Sequence, residues 1–152
     1  MQATKNRIHS QQQIAAHMTE FKPITIQDKE SITSYLLPTQ ERDCDLSFAN
    51  LCSWHFLTES SYAILDHQLV IRFLHPEGFH EYFLPVGGEN LISIIHRLEE
   101  FARAEQAPLC LRGSLPALQT KLEQSFPTLF EYRTDRDYFD YLYLRQDLAE
   151  LK

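Results

Sequence analysis

The chain has 152 residues, 43% hydrophobic and 23% charged, with a formal net charge of −7. That length suits one domain with a sizeable core. No apolar run approaches the roughly 20 residues that cross a bilayer, and the acidic balance, without a basic stripe to meet phosphates, argues against nucleic-acid binding by this chain alone.

Residues 1–20 are polar and aperiodic. They carry Lys5, Arg7 and a run of glutamines but no apolar centre, which rules out a secretory signal. They are expected to be a flexible polar extension, with Met1 or Met18 as the true start, and the protein to be cytoplasmic. The domain proper is placed at 21–152. FKPITI (21–26) alternates weakly, as an edge strand does, and Pro23 suits an edge better than a centre. Thr25 or Gln27 then opens a helix in which Ile32, Tyr35 and Leu36 share a face, ended by Pro38. DLSFANLCSWHF (45–56) gives a second helix, with Asp45 or Ser47 as its cap and Phe48, Leu51, Cys52 and His55 at helical spacing.

SYAILDHQLVIRFL (61–74) predicts a hairpin about Asp66-His67, residue types that tolerate a left-handed backbone. HEYFLPV (80–86) adds a third strand of the meander. Gly87-Gly88 breaks it and leads into the longest helix, whose stripe is Leu91, Ile94, Ile95, Leu98, Phe101 and Ala102. PLCLRG (108–113) is almost wholly apolar, the pattern of a strand covered on both faces. Ser114 is positioned to cap a helix carrying Leu115, Leu118, Leu122 and Phe126, stopped by Pro127. LFEYRT (129–134) and YFDYLYL (138–144) predict a last hairpin through Asp135-Arg136-Asp137. RQDLAELK (145–152) then begins a further helix.

Few motifs carry chemistry. The seven His show no HxxxH or His-carboxylate spacing, no CxxC is present, and no metal site is expected. Cys44, Cys52 and Cys110 are odd in number and scattered, as reduced thiols are. Asp137, Tyr138, Asp140 and Tyr141 cluster in the last hairpin. Because residues two apart share a strand face, Tyr138 and Asp140 point together. A carboxylate among aromatics needs a partner. Either Arg133 or Arg136 pairs with Asp140 and pins the hairpin, or the carboxylate recognises an ammonium group of a substrate or partner. Asn50 and Trp54, four apart on the second helix, meet on one face. They either brace the adjoining loop or contact a ligand.

The order of elements, with a βαβ crossover after a three-strand meander and a final hairpin, resembles the GNAT acyltransferase fold, an α+β architecture with a mixed central sheet flanked by helices. Three stretches narrow the likeness: FKPITIQDKESITSYLLP, CDLSFANLCSW and DRDYFDYLYLRQDL. Together they resemble the N-terminal half of a bacterial family related to the C-terminal domain of phosphatidylglycerol lysyltransferase, proteins of two GNAT-like repeats and about twice this length. The resemblance implies acyl- or aminoacyl-transfer ancestry, with aminoacyl-tRNA as a partner only of an active full tandem protein. It also implies a chain that is not catalytic by itself, the second half or a homodimer completing the cleft. A free-standing binding or dimerisation module, and a stand-alone N-acetyltransferase, are the alternatives.

Acyl-CoA is the cofactor that such a fold implies, with its pyrophosphate at Gly87 and Gly88, where a helix N-terminus favours an anion. Here the turn lacks the family's basic residue and carries Glu89 instead. The helix from Leu115 to Phe126 lacks the general-acid Tyr of such enzymes, and Glu81 is the one carboxylate near the place of a general base. No catalytic residue is assigned.

Overall fold

The computed structural model describes residues 21–39, 43–113, 116–134, 136, 140 and 143–150. Five strands make one mixed sheet: β1 (Lys22–Pro23), β2 (Ser61–Leu65), β3 (Gln68–Leu74), β4 (His80–Phe83) and β5 (Cys110–Arg112). They lie side by side in chain order, antiparallel from β1 to β4, and β5 joins β4 in parallel. The helices are α1 (Lys29–Leu36), α2 (Phe48–Ser53), α3 (His55–Thr58), α4 (Leu91–Ala104), α5 (Pro116–Ser125) and α6 (Arg145–Glu150). This is the α+β, GNAT-like arrangement expected from the sequence. No helix among the described residues is long and apolar enough to cross a membrane.

The sheet is buried on both faces. Along β2, β3 and β4 neighbouring side chains alternate between two cores, as strand geometry requires. Tyr62, Leu69, Ile71 and Phe83 enter one with Ile32 of α1, Leu51 of α2 and Leu122 of α5. Ala63, Val70 and Tyr82 enter the other with Ile94, Leu98 and Phe101 of α4. The α4 stripe is buried at all six expected positions. The β2–β3 loop has both Asp66 and His67 at positive φ, as a two-residue type I′ loop demands.

β4 carries an irregularity with consequences for the site. Arg72 pairs with Tyr82, yet the next bridge joins Leu69 to Val86. Two residues on β3 therefore face three on β4, which is a β-bulge. Pro85 lies inside it, where a missing N–H costs no ladder bond.

Three expectations are corrected. The helix over 45–56 is broken into a 3-10 turn (Cys44–Leu46), α2 and α3, because Asp43 and Ser47 each cap a separate start, accepting from the N–H of Asp45 and Asn50. Among the described residues β5 is the last strand of the sheet, and its residues are half-buried, not covered on both faces. Residues 129–134 form no strand. In that stretch Phe130 packs edge-on against Phe126 while Leu129 and Tyr132 stay exposed, so one anchor is present but no ladder. Residues 138–139 and 141–142 of the other expected strand lie outside the described residues, as do Ser114 and Leu115.

The entry to α1 is fastened by a buried carboxylate. Asp28 accepts from Tyr62 Oη at 2.6 Å, Lys22 Nζ at 2.8 Å, Thr25 Oγ1 at 2.7 Å and Thr25 N at 2.9 Å. The Lys22 contact first, then Tyr62 and Thr25, hold its carboxyl far below the usual range. A depressed pKa stabilises the fold above the unfolded carboxyl's value of about 3.9, and that stability drains away as pH falls through and below it. Urea denaturation of Asp28→Asn at a series of pH values should show lower stability at neutral pH and a flatter loss between about pH 5 and 2. An unchanged acid limb would show that Asp28 is not the group responsible.

Candidate functional site

Parallel pairing of β4 with β5 sets Glu81 against Cys110 and Phe83 against Arg112. Above these residues, α2 and α3 approach the end of β3 without filling the space, which leaves a cavity of about 360 Å³. Its floor is Glu81, Arg112 and Phe73; its walls include Asn50, Trp54, Leu57 and His75; Asp45 lies at its edge.

Glu81 is only 4% exposed. Arg112 Nε stands 2.7 Å from its Oε2, so the buried carboxylate is ion-paired. The guanidinium also lies over the Phe73 ring, 5.2 Å from its centroid. His75 Nε2 is 3.9 Å from the other Glu81 oxygen, its ring stacked on Phe79 at 4.5 Å. Burial, and then the Glu81 charge, push the Cys110 thiol up. A buried charge pair is costly to break by removing one member, because the other is left uncompensated.

Beside Asp45, outside the cavity lining, acidic groups gather about Cys44. Asp140 accepts from Cys44 N at 2.7 Å and from Cys44 Sγ at 2.8 Å, and these bonds hold its carboxyl below the usual range. The Cys44 thiol is pushed up to about 11, chiefly by its bond to Asp140, then by burial and by the charges of Asp140, Asp45 and Asp43. Asp43, raised mainly by burial, accepts from Asp45 N.

The residues singled out from sequence therefore divide. Asn50 and Trp54 do line one concave surface. Asp140 is exposed and holds Cys44; the expected Arg133 or Arg136 is not its partner. Asp137 and Tyr138 lie outside the described residues. Gly87 and Gly88 both have positive φ, +85° and +63°. A Cβ on Gly87 would stand 2.9 Å from Tyr35 Cδ1, and one on Gly88 2.4 Å from Gln68 Cγ. Gln68 Nε2 donates to Asn90 O, and Asn90 Oδ1 caps α4 through Ser93 N. The chain's own packing thus accounts for both glycines and supplies the first cap of the helix. Arg112 and His75 were not foreseen as site residues. The signal for Arg112 was a charge closing an otherwise apolar strand; its neighbour Glu81 appears only once β4 and β5 are paired. Among the described residues no three His, Cys, Asp or Glu side chains converge as metal ligands.

The family model for the C-terminal region of phosphatidylglycerol lysyltransferase matches residues 38–152. A crystal structure titled as a conserved protein of unknown function from Bacteroides thetaiotaomicron VPI-5482 is similar at 41% sequence identity and a TM-score of 0.80. The match covers 87% of this chain and 44% of that one, so this chain spans less than half of that relative's length. No curated protein matches.

Two outcomes are expected of variants here. Cys44, though exposed, should alkylate slowly with iodoacetamide at pH 8, and Asp140→Ala should accelerate it by about tenfold, because more thiolate forms once its pKa falls. Peptide mass spectrometry reads the rate at this cysteine alone, and equal rates would refute the Asp140 bond. Gly88→Ala should cost roughly 1–3 kcal/mol in urea denaturation, the penalty for a side chain in left-handed backbone against a packed neighbour.

Proposed function

The chain belongs to the family of the phosphatidylglycerol lysyltransferase C-terminal domain, and from that membership we propose that it is the N-terminal GNAT-like unit of a tandem acyl- or aminoacyltransferase. In this reading residues 1–20 are a polar extension, 21–152 are the GNAT-like unit, and a second GNAT-like half completes the cleft. The observation that carries it is the 44% coverage of a solved relative that is 41% identical to this chain. A structure so alike over one half leaves a larger remainder for a second unit to occupy.

Two features of the surface support the reading. Tyr143, Leu144 and Leu148, leading into and along α6, are 66%, 71% and 58% exposed. Clustered apolar side chains of this kind mark a surface that another body covers. The features that acyl transfer asks of a lone domain are also thin: no Tyr stands among residues 116–125 of α5 as general acid, and the Gly87-Gly88 turn is packed by Tyr35 and Gln68. Aminoacyl-tRNA and a lipid acceptor belong to the whole tandem protein in this reading, not to this unit alone. A homodimer is the second reading, because the same apolar side chains fit a second copy in the place of a second half.

Reading the gene beyond codon 152 tests the first reading. A frame continuing into a second GNAT-like half, with transfer activity in the joined protein and none in the 152-residue chain, is the expected result. Unrelated sequence downstream overturns it. Light scattering then separates the alternatives, a dimer of the isolated chain favouring self-association and a monomer opposing it.

A further inference from the structure

Three large apolar side chains stand exposed within four residues of chain. Trp54, Phe56 and Leu57 are 52%, 75% and 63% exposed. The Trp54 and Phe56 rings stack, with 6.5 Å between centroids and 18° between planes, so they form one plate rather than separate projections. The corner that bears them is fixed in place. Only Trp54 separates α2 from α3, and its carbonyl accepts from Thr58 Oγ1. Glu59 closes α3 at positive φ with its N–H on His55 O, and His55 Nδ1 donates to Ser60 O at 2.9 Å. Ser60 is itself buried and donates to Leu51 O. An apolar plate held rigid in water needs little further ordering to bind, which is the property of a docking surface.

Area, charge and the course of the chain say what covers it. Three such side chains present on the order of 400 Å² of apolar surface. That falls short of the roughly 800 Å² per partner found in stable complexes of separate molecules. It suits an interface between two domains of one chain, where the covalent link keeps the partners close. Asp45 lines the same cavity as Trp54 and Leu57, with Asp43 and Asp140 beyond it about Cys44, so an anionic lipid surface would be repelled here. Asp140 also bonds Cys44 N and Sγ, so the segment that leads into α6 departs from beside Asp45, which shares the cavity with Trp54. More than half of the solved relative lies beyond its match to this chain, enough for a second body. We propose that a second GNAT-like half following residue 152 docks on Trp54, Phe56 and Leu57. Because Trp54 and Leu57 are also walls of the cavity above Glu81 and Arg112, the same contact closes that cavity between the two halves. The proposal rests on the tandem reading for its partner and adds the surface on which that partner sits.

The test compares the 152-residue chain with the joined protein read from the gene. Hydroxyl-radical labelling, at a dose matched with a free dye and read by peptide mass spectrometry, reports the exposure of each side chain. Trp54, Phe56 and Leu57 should label at least about fivefold more slowly in the joined protein, because the centre of an interface is packed as closely as a protein interior. Phe56→Gln alters an exposed side chain, so it should leave the melting temperature of the 152-residue chain unchanged and lower that of the joined protein. Equal labelling in the two proteins, or equal effects of Phe56→Gln on both melting temperatures, overturns this inference and leaves the tandem reading standing. A gene without a second half overturns the tandem reading and this inference with it.

Discussion

The rest of the structure depends on β4. It is the strand that must satisfy two neighbours running in opposite senses, β3 antiparallel and β5 parallel, while both its faces are buried. Backbone groups in such a place have no water to turn to, so each must find a ladder partner or be freed from needing one. The bulge before Val86 and the proline within it meet that demand: pairing with β3 resumes at Leu69, one residue out of step, and Leu84 N turns to Arg112 O on β5. Before the slip, Glu81 and Tyr82 already pair with both neighbours; after it, contact with β3 is regained at Val86. The same strand places Tyr82 in the core beneath α4 and Phe83 in the core on the opposite face, so the two cores are joined through it.

The position of the cavity follows. Glu81 lies on β4 and Arg112 on β5, at the parallel seam between them, and the short α2–α3 corner stands over that seam without filling it. In many α/β sheets a ligand cleft forms where neighbouring strands diverge in direction or connection. Here an antiparallel meander meets a crossover at the same place, and a buried ion pair sits at the junction.

How far the sequence revealed this varies with the range of the forces involved. The α4 stripe was legible because burial of one helical face leaves a 3.6-residue signature, and each of its six apolar positions is buried. The Asp66-His67 turn was legible because its chemistry is confined to two residues with positive φ. Ser47 as a cap was legible for the same local reason, but Asp43 as a competing cap was not, and so one helix was expected where three short pieces stand. The site was least legible. Asn50 and Trp54 were found by helical spacing, but Glu81 meets Arg112 through a parallel pairing, and Asp140 meets Cys44 across 96 positions of chain. An apolar run such as 129–134 also reads as strand whether or not a partner edge receives it, which is why that expectation failed.

The sheet order bears on how the molecule assembles. β2, β3 and β4 pair through short loops, so their contacts are local, whereas β1 reaches β2 only across residues 24–60. β5 likewise must wait for α4 to carry the chain across the sheet. Loop-closure entropy makes the local pairings the cheaper ones to form early, and the crossover the later event. The two charges on the cavity floor are divided between these stages: Glu81 arrives with the meander, Arg112 with the crossover. A folding species that has closed the meander but not docked β5 must keep Glu81 solvated or protonated, so the last seam to close is also the one on which the burial of that carboxylate depends.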